Sequence, residues 1–144
     1  MTLPAGPNLT YELRAISTLE AAEKQRMYAL MTQHYNAMNR PQFEADLAWK
    51  QAVGLLREAD GTIQGFSTLA LNPRSCSLPG TMVLYSGDTI INQSHWGTQA
   101  LVRGFCETAG RLKATWPEQR LLWFMLSKGH RTYLYLPLFF ACYH

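Results

Sequence analysis

The sequence predicts an α/β (α+β) fold, with a mixed, mostly antiparallel central sheet and helices on both of its faces. Three observations predict it. Asp60-Gly61 lies between two apolar runs and signals a hairpin, because this dipeptide tolerates positive φ. Residues 81–126 read as strand, helix, strand, a parallel crossover that is right-handed in nearly all proteins. Apolar side chains recur at helical spacing both before the hairpin and inside the crossover, so helices flank the sheet.

Residues 9–15 mix apolar and polar side chains and suit a first strand. Ser17 and Glu20 have capping-box spacing, and a helix over about 18–35 places Leu19, Ala22, Met27, Leu30, Met31 and His34 near one face. Asn39-Arg40-Pro41 breaks it, and Pro41 fits the first turn of a second helix carrying Phe43 and Leu47. Residues 53–58 and 62–71 form the hairpin. Residues 72–80 are a polar loop, and 81–91 are a long strand with Gly87 near its middle, where glycine often marks a bulge. A polar turn, Asn92-Gln93-Ser94-His95-Trp96-Gly97, leads into a helix over about 98–113 with a core stripe of Leu101, Phe105, Ala109 and Leu112. The unbroken apolar run 121–126 predicts an internal parallel strand buried on both faces. A last element over about 131–141 reads as helical and cut by Pro137.

The chain has 144 residues, enough to bury one core, and is expected to form a single domain over 1–144. Its 47% hydrophobic and 16% charged residues exclude a disordered chain. A net charge of +3 is too small for nucleic-acid binding on charge alone. It is also uneven: residues 1–60 carry −1 and residues 61–144 carry +4, which puts an anionic ligand on the C-terminal half. Cys76, Cys106 and Cys142 form no CxxC pair, His34, His95, His130 and His144 have no ligand spacing, and no metal site is expected. The odd cysteine count and the absence of a basic, then apolar, leader suggest a cytoplasmic protein. The longest apolar tracts fall well short of the roughly 20 residues of a membrane helix. Cys106 adjoins the apolar stripe and is expected in the core, and core packing is the expected role of Tyr85, Trp96, Trp116 and Trp123.

This order of elements, with the turn at 92–97 followed by Gly97-Thr98-Gln99-Ala100-Leu101, resembles the GNAT N-acetyltransferase superfamily. There the fourth strand ends in an Arg/Gln-x-x-Gly-x-Gly/Ala turn that opens the third helix, and its backbone amides hold the pyrophosphate of acetyl-CoA. Here Gly97 takes the last glycine position, His95 takes the first, and Asn92 or, with a one-residue shift, Gln93 stands for the Arg/Gln. The run Ser127-Lys128-Gly129-His130-Arg131-Thr132-Tyr133 also resembles a group of GNAT-like proteins with a similar Trp-Gly turn and a Lys-Gly-aromatic-x-Thr-Tyr segment.

The resemblance implies an acetyl-CoA-dependent N-acyltransferase in which an acceptor amine attacks the thioester directly. Gln93, Ser94, His95, Trp96, Gly97 and Thr98 would hold the coenzyme's phosphates. The strand amides of Thr89, Ile90 and Ile91 would pair with its pantetheine arm. Arg103, Lys128, His130 and Arg131 would lend positive charge. Asp88, the only acidic residue between Asp60 and Glu107, would be the base, and Tyr133 or Tyr135 the acid. His95 would either donate to phosphate or close the site, and the second outcome implies a catalytically silent module that binds a ligand or a partner chain. The superfamily adds two further strands after its last helix, so the resemblance implies a sheet lacking them, with an open edge suited to homodimer formation.

Overall fold

A computed structural model of the chain describes residues 8–72, 78–126, 133–134 and 137–138. Five strands form one sheet in the order β1 (Thr10–Ala15), β2 (Ala52–Arg57), β3 (Ile63–Leu71), β4 (Thr81–Ile91), β5 (Arg120–Met125). The first four pair antiparallel, and β5 runs parallel to β4. Helices α1 (Ala21–His34) and α2 (Arg40–Ala48) lie between β1 and β2 in sequence, and α3 (Ala100–Thr115) makes the crossover. The expected fold class holds. Of the last expected element only 133–134 and 137–138 are described, with the Leu138 N–H on Leu134 O at 3.2 Å, and the expected lack of further strands falls outside the described residues.

Helices cover both faces because each carries one apolar stripe. On one side Met27, Leu30, Met31, Phe43 and Leu47 meet Val53, Leu55, Ile63, Phe66 and Ile90. On the other Ala100, Leu101 and Phe105 meet Leu9, Leu56, Leu69 and Leu84. Burying each aliphatic side chain of this size stabilises the fold by about 1.5–3 kcal/mol, so the two layers hold the sheet from both sides. Asp60-Gly61 turns the hairpin with Gly61 at φ 88°, and Asn39 caps α2 by accepting the Gln42 N–H at 2.9 Å.

Several local expectations change. The capping box of α1 pairs Glu20 with Glu23, whose Oε2 accepts the Glu20 N–H at 2.8 Å. Ser17 instead lies in a 3₁₀ turn, Ile16–Thr18, anchored by the Ile16 N–H on Gln51 O. Ala22 and His34 are exposed, as they stand off the buried stripe. Strand β5 is not buried on both faces: it ends the strand order among the described residues, and Phe124 is 50% exposed. Cys106 is exposed, since the buried side of α3 runs through Leu101, Gly104, Phe105 and Thr108. Trp96 and Trp116 are exposed rather than packed in the core.

Glu23 also receives Arg57 and Arg14, which tie β2 and β1 to the start of α1. Burial pushes its carboxyl up, but the Glu20 amide and the two guanidiniums outweigh this and hold it below the usual range. A carboxylate depressed in the folded state stabilises above its unfolded value and loses that contribution as pH falls. Glu23→Gln should therefore lose about 2 kcal/mol at pH 7. Its gap from the parent in thermal unfolding should narrow as pH drops below about 4.5. A gap independent of pH would show that the carboxylate's charge is not what holds the helix start.

Candidate functional site

Strand β4 outruns its parallel neighbour. It pairs with β5 from Thr81 to Ser86, and the Leu126 N–H on Ser86 O at 3.0 Å closes that ladder. Register against β3 then shifts between Phe66 and Thr68, so β4 carries one extra residue there. This is the expected bulge, and such an insertion raises local twist. The residue in left-handed conformation is Asp88, at φ 46°, not Gly87. Gly87 serves another purpose: a Cβ there would stand 2.5 Å from Tyr85 Oη, so its bare backbone lets the Tyr85 ring lie along the strand.

Past the bulge no described strand pairs with β4 on its β5 side. The Asn92 N–H donates to Gln64 O at 2.8 Å, which fixes the alternation and turns the peptide groups of Thr89 and Ile91 away from β3. Ile90 faces the other way and its side chain is buried. The outward edge is partly taken, because Trp96 Nε1 donates to Ile91 O at 3.0 Å. The Thr89 hydroxyl is held 2.8 Å from Ser67 Oγ.

The turn that follows is a 3₁₀ turn, Gln93–His95, capped by Asn92. The N–H groups of His95, Trp96 and Thr98 donate to Asn92 O, Gln93 O and His95 O, and Thr98 Oγ1 accepts the Ala100 N–H at 3.2 Å. Gly97 takes φ 94°, which only glycine adopts freely, and lets the chain enter α3. The first-turn amides of α3, Leu101 and Val102, have no helical acceptor, and the dipole there is positive. The described part of this turn therefore offers an anion the start of α3 and Gly97, with Arg103 exposed one turn on.

His95 is buried and faces inward. Its Nε2 lies 3.0 Å from Glu58 Oε1, and its Nδ1 lies 2.8 Å from Ser94 Oγ. Gln64 Nε2 donates to Glu58 Oε2 at 2.8 Å, and Gln64 Oε1 accepts from Asn92 Nδ2 at 2.9 Å. The turn is thus pinned to the β2–β3 hairpin by a closed polar ring. Both imidazole nitrogens are engaged within the protein.

On the α1–α2 face, Asp88 pairs with Lys50, whose side chain is only 3% exposed. Thr68 Oγ1 stands 2.8 Å from Gly87 O and 3.1 Å from Asp88 Oδ2, so its single proton is shared between them. Both contacts fall on Oδ2. Among the described residues no hydrogen bond falls on Oδ1. Trp49, Tyr85 and Phe124 line the approach, with ring centroids 5.4 Å and 5.9 Å apart in turn. Burial and then the Asp88 and Asp46 charges push the Tyr85 hydroxyl above its ordinary value. Burial and Asp88 do the same to Tyr35. Both hydroxyls stay protonated at neutral pH.

The structure brings Asp88, Thr89, Ile90 and Ile91 and the turn from Gln93 to Thr98 to one end of β4. Tyr133 is exposed, and Tyr135, Lys128, His130 and Arg131 lie outside the described residues. Sequence reasoning missed Trp49, Lys50 and Glu58, because each reaches the site from more than 30 residues away.

A four-stranded antiparallel array, a bulged fourth strand that runs past the described end of its parallel neighbour, and a helix start after it make a specific combination. Solved acetyltransferase structures superpose on this fold. The fold is that of the GNAT N-acetyltransferases. The ribosomal-protein-alanine N-acetyltransferase from Brucella melitensis biovar Abortus 2308 superposes with a TM-score of 0.64 at 11% identity, over 94% of this chain and 93% of its own. A Trypanosoma brucei acetyltransferase gives 0.62 at 16% identity, over 93% and 94%. The aminoglycoside N-acetyltransferase AAC(6')-Iy, solved with CoA, gives 0.62 at 14% identity, over 96% and 91%. No protein-family model and no curated protein matches the chain. Identities this low establish the GNAT fold and leave the chemistry to the site. No helix among the described residues is long and apolar enough to cross a membrane.

Proposed function

We propose that the chain is an acetyl-CoA-dependent N-acyltransferase formed by a single domain. The observation that carries this reading is the far end of β4: it runs past the described end of β5 beside Asp88, whose Oδ1 takes no hydrogen bond among the described residues, and leads to the α3 start, where Leu101 and Val102 have no helical acceptor. The pantetheine arm would lie along Thr89 and Ile91 as an added strand, and the pyrophosphate at Gly97 and the α3 amides. The acceptor nitrogen attacks the thioester carbonyl, forming the C–N bond as the C–S bond breaks. Asp88 Oδ1 takes the proton shed by the amine, and Tyr133 or Tyr135 returns one to the departing thiolate.

A second reading, a binding module without turnover, draws support from His95, whose ring closes on Glu58, and from Trp96, whose indole occupies Ile91 O. Thermal unfolding with acetyl-CoA tests the two together. Coenzyme at 100 times its dissociation constant should stabilise the fold by about 2.7 kcal/mol. Stabilisation with CoA thiol release on adding amines supports the transferase, and stabilisation without release supports the module. No shift at millimolar coenzyme overturns the transferase and leaves a module for another ligand or a partner chain.

A further inference from the structure

The face beside Asp88 is more aromatic than packing requires. Trp49 at the end of α2 is 47% exposed and Phe124 on β5 is 50% exposed, yet both touch Tyr85 between them. Tyr85 and Phe124 are nearly parallel, at 25°. The three rings touch in turn, with Trp49 tilted 47° to Tyr85, and form a stepped aromatic shelf whose Trp49 and Phe124 ends are exposed. Its inner end is the Tyr85 hydroxyl over Gly87, next in sequence to Asp88. Lys50 supports it from beneath, with Nζ 5.1 Å from the Trp49 ring centre while neutralising Asp88 Oδ2. Asp46, on α2, is a second carboxylate whose field reaches Tyr85. Among the described residues this sets two negative charges against one positive, a balance that favours a cation.

We propose that this shelf is the acceptor subsite and that it takes an arylalkylamine, a primary amine on a short chain ending in a flat aromatic ring. The ammonium meets Asp88 Oδ1 and the ring packs against the exposed rings of Trp49 and Phe124 on either side of Tyr85, in the offset or tilted geometry such rings prefer. Other amine classes fit worse. A polyamine has no flat face and brings further ammonium groups toward Lys50. A sugar phosphate amine sets its phosphate against Asp46 and Asp88.

The catalytic part of this inference rests on the acyltransferase reading, but the binding part does not. Ligand-observed NMR with 2-phenylethylamine, in the absence of coenzyme, tests binding alone. Saturation transfer to the ring protons is expected, with affinity lowered about ten-fold in Trp49→Ala, the equivalent of about 1.4 kcal/mol. Phe124→Ala, on a different element, should weaken binding as well and guards against misfolding of the first variant. Spermidine binding as tightly as 2-phenylethylamine, or binding unchanged in both folded variants, overturns the proposal. With acetyl-CoA present, kcat/KM for 2-phenylethylamine should exceed those for spermidine and glucosamine 6-phosphate by about ten-fold or more, and Trp49→Ala should act mainly on KM. Binding that responds to Trp49→Ala without any CoA release leaves the shelf intact and sinks the acyltransferase reading instead.

Discussion

Gly104→Ala is expected to lower the thermal midpoint by roughly 10 °C, the equivalent of about 3 kcal/mol for a domain of this size. The reason is one ring. Tyr11 of β1 lies between β2 and α3, and both neighbours present glycine to it. A Cβ at Gly54 would stand 2.5 Å from its Oη, and one at Gly104 would stand 2.5 Å from its Cδ1. The ring cannot retreat from either without meeting the other. Its hydroxyl is held as well: Thr108 donates to Gly104 O at 2.8 Å, which leaves Thr108 Oγ1 to accept from Tyr11 at 3.2 Å. In an open helix interior Gly→Ala stabilises by about 1 kcal/mol, so the sign of the effect separates the clash from propensity. Gly110 supplies the control, since a Cβ there meets nothing within 4 Å. Gly110→Ala should raise the midpoint while Gly104→Ala lowers it. Combining Gly104→Ala with Tyr11→Leu should recover more than the single effects predict, because the two positions share one volume. Two equal, stabilising alanines would disprove the clamp. The clamp also matters for the site, because it sets how α3, and thus its N-terminal amides, sits on the sheet.

The order of elements was readable because each start and stop has a local chemical cause. Asp60-Gly61 turns a hairpin, Asn39 and Pro41 open α2, and the α3 stripe repeats at helical spacing. Local signals also misled where two candidates competed. Ser17 and Glu20 have the spacing of a capping box, but Glu20 and Glu23 make it, since Glu23 also gains two arginines from the sheet. The apolar run of β5 resembles a strand buried on both faces, yet Phe124 is half exposed, beside Tyr85. Site composition was the least legible part. His95 was visible as a departure from a glycine, but its partner Glu58 is 37 residues away and only tertiary structure joins them. The bulge was foreseen from Gly87, while the left-handed residue proved to be Asp88, whose conformation the Lys50 and Thr68 contacts help to hold.

Breaking the Lys50–Asp88 pair should be costly in one direction and mild in the other. Lys50 is 3% exposed at its side chain and Asp88 is 30% exposed. Asp88→Asn therefore leaves an ammonium in the interior with no ion-pair partner in contact among the described residues, a change that costs about 3–5 kcal/mol for buried pairs. Lys50→Met removes the buried charge and fills its space with an apolar chain, while the carboxylate keeps Thr68 and can turn toward water. Its cost should be about 1 kcal/mol or less, since apolar replacement of a buried ion is often close to neutral. Lys50→Met/Asp88→Asn should then be more stable than Asp88→Asn alone, by roughly the difference between those two figures. Urea unfolding of the four proteins measures the cycle, with a common slope confirming that the denatured states are alike. Equal losses of about 1 kcal/mol or less in the two single variants would mean that both charges are hydrated, and that the pair contributes little to either fold or site. The ordering Asp88→Asn below Lys50→Met would show that Lys50 depends on Asp88. The carboxylate just past the end of the β4–β5 ladder would then be held in place by a cation that cannot leave, with Oδ2 committed to Lys50 and Thr68, as the proposed role of Oδ1 toward an amine requires.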